Sequence, residues 1–171
     1  VLGMESASVT EHIFRVAFVA LIIARGENFK DEETILKMAL VHDIPEIRTG
    51  ETGYVQSVYV KNDEAKAIKD TLDKTTLADF EKILLEYNDR KSLAAKIVKD
   101  ADNLDVDLEI NELRERGSTF FSKSRDFRKL IRNKKLYTKS ARKIWDMIQK
   151  SDPDDWHLKA NKWVKLPKAG K

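Results

Sequence analysis

The sequence predicts an all-α protein, a single domain of about six to eight helices. Three observations favour this fold class. Apolar residues recur at helical spacing in several segments, and most of these segments begin with a capping residue. Only six Gly and three Pro interrupt the 171 residues. No segment shows a convincing period-two alternation or the turn signal of a hairpin. A chain of this length is accounted for by one domain of ordinary size.

The first two helices have clear boundary signals. Residues 8–11 (Ser-Val-Thr-Glu) form a capping-box pattern ahead of an apolar run, and Gly26 predicts the end of that helix. The acidic residues 31–33 suit the positive N-terminus of a second helix. We expect this helix to continue to about Ile44, where Pro45 disturbs it.

The middle of the chain alternates loops with helical patterns. Residues 49–53 (Thr-Gly-Glu-Thr-Gly) have the composition of a loop. Residues 62–87 have a helical pattern that we expect to break near residues 75–76, and residues 88–90 form a turn.

A long helix and a shorter one complete the predicted fold. Ser92 can cap a long helix that ends near Gly117, and either Thr138 or Ser140 can cap a later one that Pro153 limits. We therefore assign residues 1–150 to the helical domain. Residues 151–171 are predicted to be a C-terminal tail that packs on the domain or extends from it.

Composition excludes several classes of protein. The absence of cysteine rules out disulfides, cysteine-ligated zinc, iron–sulfur clusters and a thiol nucleophile. It also favours a reducing compartment, so we expect a cytoplasmic protein. The longest apolar run, residues 16–24, is far shorter than the ~18 residues of a membrane span, and no secretory signal precedes it. We therefore expect no membrane partner.

The charge is unevenly distributed along the chain. Residues 1–113 carry a net charge of −9, whereas residues 114–150 carry +10. One interpretation is a cation site in the first part and an anion-binding surface in the second. The other interpretation, which we favour, is that the charges are solvated helix faces.

The strongest local signal is the doublet His42-Asp43 at the end of the second helix. Imidazole nitrogen and carboxylate oxygen suit divalent metals such as Mn, Co, Zn, Fe or Ni. Glu46 follows His42 by four residues, so helical geometry would place it on the same side, where it could take a proton from water. Glu51 supplies a second carboxylate on the following loop.

A third acidic element lies in residues 99–105, on the predicted long helix. Asp102 falls on the apolar side of this helix, and a buried carboxylate is costly unless it is paired or bound to a metal. Spacing alone leaves both a metal ligand and a salt bridge with Lys99 open. His12 lies early on the first helix, whereas His157 in the tail is interpreted as a surface or packing residue.

The order of these residues resembles that of the HD-domain metal-dependent phosphohydrolases. The best match is the small single-domain branch that includes 5′-deoxynucleotidases, and the likeness spans roughly residues 4–116. The motifs that carry it are Glu11-His12, His42-Asp43-x-x-Glu46-x-x-Thr49-Gly50 and Ala101-Asp102.

The resemblance implies a helical bundle of the HD-domain type with one divalent metal ion. The ligands implied are His12, His42, Asp43 and Asp102. Asp100 and Asp105 are the competing choices for the last carboxylate.

The resemblance also implies catalytic carboxylates at Glu46 and Glu51, although the branch usually has Asp at the second position. The expected function is a 5′-nucleotidase that releases phosphate from (deoxy)nucleoside 5′-monophosphates by attack of a metal-activated water. A homodimer is implied as well. Apolar and aromatic residues after the catalytic loop are candidates for its interface: Tyr54, Val55, Val58 and Tyr59.

Two alternative functions remain at this point. The chain can be another HD-type enzyme, a phosphodiesterase or a nucleotide triphosphohydrolase, because these share the one-metal motif. It can also be a nucleic-acid-binding module that uses the basic segment 114–150, although we expect no nucleic-acid partner. Aromatic residues interleave with that segment, either as a stacking surface or, as we favour, as helix core: Phe120, Phe121, Phe127 and Tyr137.

Overall fold

A computed structural model describes residues 7–53 and 55–155. In that part the chain forms eight α-helices and one 3₁₀ turn, without strands, which confirms the all-α prediction. The helices are α1 (Val9–Gly26), α2 (Glu32–Val41), α3 (Glu46–Thr49), α4 (Glu64–Leu72), α5 (Phe80–Asp89), α6 (Leu93–Glu115), α7 (Phe120–Lys134) and α8 (Lys139–Ile148), with the 3₁₀ turn Gln56–Val58 between α3 and α4. His157 and most of the predicted tail lie outside the described residues, and so does Tyr54. None of the helices described is long and apolar enough to cross a membrane.

Side-chain caps begin the helices where the sequence predicts them. Ser8 and Glu11 form a complete capping box at α1, with the Ser8 backbone N–H donating to Glu11 Oε2 at 2.7 Å. Ser92 Oγ accepts from the Ala95 N–H at 3.1 Å and caps α6. Thr138 rather than Ser140 caps α8. These caps satisfy N–H groups that the helix itself leaves without partners.

The long helix α6 is the centre of the domain. It packs against α1, α2, α5, α7 and α8. Its buried apolar residues join those of α1, α2 and α8 in the main core, which includes Val16, Ile23, Met38, Ile97, Leu104 and Trp145. The helices that carry the predicted metal ligands therefore meet across this core.

The end of α2 differs from the prediction. The helix stops at Val41, three residues before the expected Ile44. The next backbone bonds span three residues rather than four, with the Ile44 N–H donating to the Val41 carbonyl at 3.0 Å and the Glu46 N–H to Asp43 at 3.0 Å. Pro45 lacks an N–H, so it cannot continue the four-residue ladder. The result is a tight turn at residues 42–45 that leads directly into α3.

A second, smaller core lies between the end of α2 and helices α4 and α5, next to α3 in the chain. It contains Val41, Ile68, Leu72 and Leu84. Arg48 on α3 donates to the Asp70 carbonyl of α4 at 3.0 Å, which fixes the short helix against its neighbour. This contact holds Glu46, at the start of α3, in place.

The basic segment 114–150 contributes both core and surface. Arg128 is 4% exposed and forms a bidentate pair with Asp107 of α6, so some of the positive charge is used inside the fold. The expectation that the aromatic residues of this segment are core is wrong for three of them. The side that α7 buries is formed by Ser124, Arg128 and Ile131, which leaves Phe120 and Phe127 exposed, and Tyr137 is exposed between α7 and α8. The exposed three are Phe120 at 39%, Phe127 at 45% and Tyr137 at 45%.

Candidate metal centre

The four predicted ligands converge where α1, α6 and the end of α2 meet. Ligand atoms of His12, His42 and Asp102 all lie within 4.8 Å of one another. The Asp43 carboxylate joins them, with Oδ2 3.3 Å from His12 Nε2 and Oδ1 3.2 Å from His42 Nε2. Residues that are 90 positions apart in sequence thus form one cluster. The side chain of His42 is fully buried, whereas the other three are 20–25% exposed, which leaves one side of the cluster open to solvent.

His42 is held in the tautomer that a metal ligand requires. Its Nδ1 lies 2.8 Å from the Ala39 carbonyl oxygen, which only accepts hydrogen bonds, so Nδ1 carries the proton. Nε2 is then a free lone pair directed at the cluster. It is buried, and none of the residues that the structure describes forms a hydrogen bond with it. A buried polar atom without a partner is costly, and a metal ion would remove that cost.

His12 presents the same nitrogen to the cluster. Its Nε2 lies 3.3 Å from Asp43 and 3.6 Å from Asp102, while Nδ1 lies 2.7 Å from Asp105 Oδ2. Hydrogen bonds to Asp105 and then to Asp43 raise the pKa of His12 to about 10, against an opposing effect of burial. Without a metal, His12 is therefore an imidazolium that balances the surrounding carboxylates.

Asp102 is the carboxylate that α6 contributes to the cluster. Burial has the largest single effect on Asp102 and raises its pKa, but the charge and hydrogen bond of Lys99 together with the nearby imidazoles of His42 and His12 outweigh it, and the pKa is lowered. The Lys99 ammonium lies 2.7 Å from Asp102 Oδ2. The salt bridge and the metal ligand, which the sequence left as alternatives, are therefore compatible, because Oδ1 still faces His12.

The two competing carboxylates have other functions. Asp100 is fully buried and accepts hydrogen bonds from the Tyr137 N–H, the Thr138 N–H and the Thr138 hydroxyl at 2.7–2.8 Å. It therefore ties the start of α8 to α6. Asp105 contacts the far nitrogen of His12 and is paired with Arg15 at 2.5 Å. Neither carboxylate faces the cluster.

The predicted catalytic carboxylates lie next to the cluster. Partial burial, followed by the charges of Asp43 and Glu51, raises the pKa of Glu46 to about 7. Glu51 is exposed and follows Gly50, whose φ of 70° suits glycine better than any other residue. The charge of Glu51 contributes to the raised pKa of Glu46, so the two carboxylates are near enough to influence each other.

These residues fit a divalent transition-metal ion. Two imidazole nitrogens and carboxylate oxygens are the donors that such ions prefer. The unpartnered Nε2 of His42 points into the centre of the donor set. The pattern of donors does not distinguish among Mn, Co, Zn, Fe and Ni.

Comparison with known families agrees with this site. Residues 3–145 match the HD domain family. The chain belongs to the HD-domain family. The match covers the helices that carry all four candidate ligands, and it confirms the resemblance drawn from the sequence.

Two curated relatives share part of the HD domain. The chain is 30% identical to a zebrafish (Danio rerio) protein named 5′-deoxynucleotidase HDDC2, over 65% of this chain and 58% of that protein. It is 28% identical to the human protein of the same name, over 61% of this chain and 53% of that protein. The chain thus matches a little over half the length of these relatives.

Solved structures resemble the HD domain over more of its length. A conserved hypothetical protein from Pyrococcus furiosus is 25% identical, with a TM-score of 0.63 and coverage of 84% of both chains. The PH0347 protein from Pyrococcus horikoshii is 26% identical, with a TM-score of 0.67 and coverage of 87% of both chains. The arrangement of helices is therefore shared with proteins of known structure.

Sequence reasoning missed residues that support the ligands. Arg15 was not singled out, and Asp105 was considered only as a competing ligand. A signal for both was present, because Arg15 follows His12 by three residues and Asp105 follows Asp102 by three residues. This spacing places each one on the same helix face as a ligand. Tyr87 was also missed, although its ring packs edge-on against His42 with centroids 5.4 Å apart.

Proposed function

We propose that this HD domain is a 5′-nucleotidase that releases phosphate from (deoxy)nucleoside 5′-monophosphates. The observation that carries the proposal is the cluster of two imidazoles and two carboxylates with Glu46 beside it, on a side open to solvent. The names of the curated relatives support the choice of substrate. We propose His12, His42, Asp43 and Asp102 as the metal ligands, and Glu46 and Glu51 as the catalytic carboxylates.

Different side chains have different roles in the proposed hydrolysis. A divalent ion bound by the four ligands would lower the pKa of water and neutralise phosphate charge. Glu46, with a pKa near 7, is suited to accept the proton of the attacking water at neutral pH. Glu51 would either protonate the departing sugar oxygen or hold a second water. Unequal environments of two carboxylates are the usual basis for such a division.

Lys99 is a partly exposed cation that contacts a candidate ligand. Its ammonium is 2.7 Å from Asp102, and its side chain is 35% exposed. From this position it holds Asp102 ionised, and it offers a positive charge to a phosphate oxygen. None of the proposed site residues lies in the basic segment 114–150.

Phosphate release from purified protein tests the proposal. The chain is stripped of metal, reloaded with Mn²⁺, Co²⁺ or Zn²⁺, and given a panel of deoxy- and ribonucleoside monophosphates. Asp43→Ala is the inactive control, and Asp126→Ala, at an exposed position on α7, controls for the loss of a carboxylate elsewhere. Metal-dependent release that is lost only in Asp43→Ala is the expected result.

The same panel distinguishes the other HD activities. Hydrolysis of nucleoside triphosphates or cyclic diesters, without release from monophosphates, would contradict the 5′-nucleotidase proposal and leave the coarser phosphohydrolase assignment standing. Among the described residues, both histidines already belong to the one cluster. This favours a single-metal reaction over the two-metal diesterases, which need additional histidine ligands.

We also propose that the enzyme is a homodimer that pairs through α1. Three apolar side chains at helical spacing form an exposed stripe on this helix, Phe14 at 64%, Phe18 at 57% and Ile22 at 57%. α2, which packs on α1, exposes Leu36 and Leu40. The exposed parts of these side chains total on the order of 400 Å², about half of what each partner buries in a standard interface.

The α1 stripe is compatible with two-fold symmetry. Phe18 lies midway between Phe14 and Ile22, so antiparallel packing of two α1 helices would place Phe18 on the axis. Phe14 would then face Ile22 of the partner subunit. Such self-complementarity is what a symmetric dimer requires. The residues that the sequence suggested, Val55, Val58 and Tyr59, are also exposed, at 75–83%, and form a competing face.

A further inference from the structure

We infer that Asp105 and Arg15 are positioning residues for His12. They hold the ring in the one orientation and tautomer that direct its Nε2 at the metal cluster. The inference rests on the metal site of the proposed function, but not on the identity of the substrate. It assigns a function to a partly buried ion pair that is not itself a ligand.

Arg15, Asp105 and His12 form a chain of hydrogen bonds that reaches His12 on the side away from the cluster. Asp105 Oδ2 lies 2.7 Å from His12 Nδ1, the nitrogen that faces away from Asp43 and Asp102. Arg15 grips the same carboxylate with two donors, Nε to Oδ1 at 2.5 Å and Nη2 to Oδ2 at 3.1 Å. Both oxygens of Asp105 are thus engaged, and the plane of the carboxylate is fixed by the guanidinium fork.

This arrangement determines which nitrogen of His12 is available. A carboxylate at Nδ1 accepts a proton from that nitrogen, so the Nδ1 position is the N–H and Nε2 is the donor to a metal. His42 obtains the same result from a backbone carbonyl, that of Ala39. His12 depends instead on a side chain of another helix. The orientation of the His12 ring can therefore be altered by substitution of Asp105, a residue outside the cluster.

The spacing along each helix places the supporting residue beside a candidate ligand. Arg15 and His12 are three residues apart on α1, and Asp105 and Asp102 are three residues apart on α6. Each helix thus presents one ligand and one supporting residue on the same face. The Arg15–Asp105 pair locks the two faces together, so that the distance between His12 and Asp102 follows from the packing of α1 on α6.

The chain contains a matched control for this pair. Asp107, two residues further along α6, is as buried as Asp105, at 3% against 2%, and is also gripped by an arginine fork, that of Arg128. Its third contact is the indole N–H of Trp145 at 3.1 Å, not a histidine. Loss of either carboxylate removes an arginine's partner, buried for Arg128 and partly exposed for Arg15, but only Asp105 touches a candidate ligand.

Metal affinity of the full chain tests the inference without any substrate. The variants are Asp105→Asn, Asp105→Ala and Arg15→Lys, with Asp107→Asn and Asp107→Ala as controls, and circular dichroism verifies that each is folded. Zn²⁺ affinity is measured by competition with a chromophoric chelator. After correction for the protonation of His12 in each variant, we expect Asp105→Ala to bind roughly 10- to 100-fold more weakly, the scale for loss of a residue that orients a ligand. Asp105→Asn and Arg15→Lys, which keep part of the contact, should lose less.

A spectroscopic readout separates positioning from general destabilisation. In the zinc-loaded parent, NMR should show the His12 Nδ1 proton as a slowly exchanging downfield signal, and Asp105→Ala should lose it. Both Asp107 variants should keep that signal and an affinity close to that of the parent.

Three outcomes would overturn the inference. They are unchanged affinity in folded Asp105→Ala, equal weakening in Asp107→Ala, and no metal binding by the parent. The last would also remove the proposed function. A parent that binds zinc but releases no phosphate would instead contradict the 5′-nucleotidase proposal alone, and the positioning inference would still be decided by the affinities.

Discussion

We expect turnover to depend strongly on Glu46 and metal affinity to depend on it little. It lies beside the cluster with a pKa raised to about 7, but it is not among the ligand atoms that meet there. We predict that Glu46→Gln, which keeps the shape and removes the base, lowers kcat by roughly 10²- to 10⁴-fold. Zinc affinity should be largely retained.

The control for this variant is Glu33→Gln on α2, where the carboxylate is exposed and paired with Lys37. It should leave both activity and affinity unchanged. Near-normal turnover by Glu46→Gln, measured as phosphate release at saturating substrate, would show that the proton is taken elsewhere.

Metal binding should release protons, because His12 holds one in the metal-free protein. Its pKa of about 10 means that the imidazolium dominates at neutral pH, whereas a metal binds only the deprotonated ring. The affinity should therefore rise with pH, by up to about tenfold per pH unit below pH 10. Calorimetry in two buffers of different ionisation enthalpy should count about one proton released per ion at pH 8.

Glu46 can contribute to the released protons, since its own pKa lies near 7. The Glu46→Gln variant removes that contribution and should leave the proton from His12. Binding at pH 8 that releases no proton would contradict the high pKa of His12.

At the residue scale, the sequence pointed to residues that cluster but not to the residues that support them. The resemblance to the HD family implied His12, His42, Asp43 and Asp102, and the structure brings their side chains together. The engagement of Asp105 with His12 depends on how α1 packs on α6, which no local pattern specifies. Spacing could suggest the pair with Arg15, but not the ring nitrogen that it contacts.

At the scale of helices, Asp100 connects α6 to α8. It is buried, and within residues 7–53 and 55–155 no positive side chain lies at hydrogen-bond distance from it. Burial raises its pKa although three donors from residues 137 and 138 oppose the rise. We predict that Asp100→Ala lowers the free energy of unfolding by about 3 kcal/mol, because several buried donors lose their partner. Urea denaturation measures this change.

The matched variant is Asp126→Ala, at an exposed position on α7, which should change stability by less than about 0.5 kcal/mol. Zinc affinity of the folded Asp100→Ala protein should stay close to that of the parent, because Asp100 faces away from the cluster. Equal stability of the two variants would mean that the start of α8 is held by other contacts.

The sequence predicted the helix boundaries well where a side chain caps the helix. It predicted them poorly where a contact with another helix sets the boundary. Ser8, Ser92 and Thr138 provide caps that are visible in the sequence. The end of α2 is set by the tight turn before Pro45 and by the packing of α3 on α4, which are not local. This turn matters for function, because it carries His42 and Asp43 and leads into Glu46.

At the scale of the whole molecule, the sequence could not show which apolar residues remain exposed. α1 is apolar on more than one face, and a helix of that kind is ordinarily buried on all sides. In the described chain, one face covers the core through Val16, Ala20 and Ile23, whereas the face with Phe14, Phe18 and Ile22 is exposed. The aromatic residues of α7 are a second example, since spacing alone suggested core.

The exposed face of α1 leads to a prediction about assembly. Phe18→Asp would place a charge at the centre of the proposed symmetric contact, where its copy would stand opposite, so we expect the dimer to dissociate at concentrations at which the parent remains paired. Size-exclusion chromatography with light scattering measures the mass of each species. Leu130→Asp, at a similarly exposed apolar position on α7, is the control and should leave the mass unchanged.

Val58→Asp distinguishes the two candidate faces. Its side chain is 75% exposed on the 3₁₀ turn, away from α1 in sequence, and belongs to the face that the sequence first suggested. If α1 forms the contact, Val58→Asp stays dimeric while Phe18→Asp becomes monomeric, because only Phe18 would meet its own copy across the axis. The reverse result would move the interface to the loop after the catalytic carboxylates, and a monomeric parent would show that the α1 stripe serves another purpose.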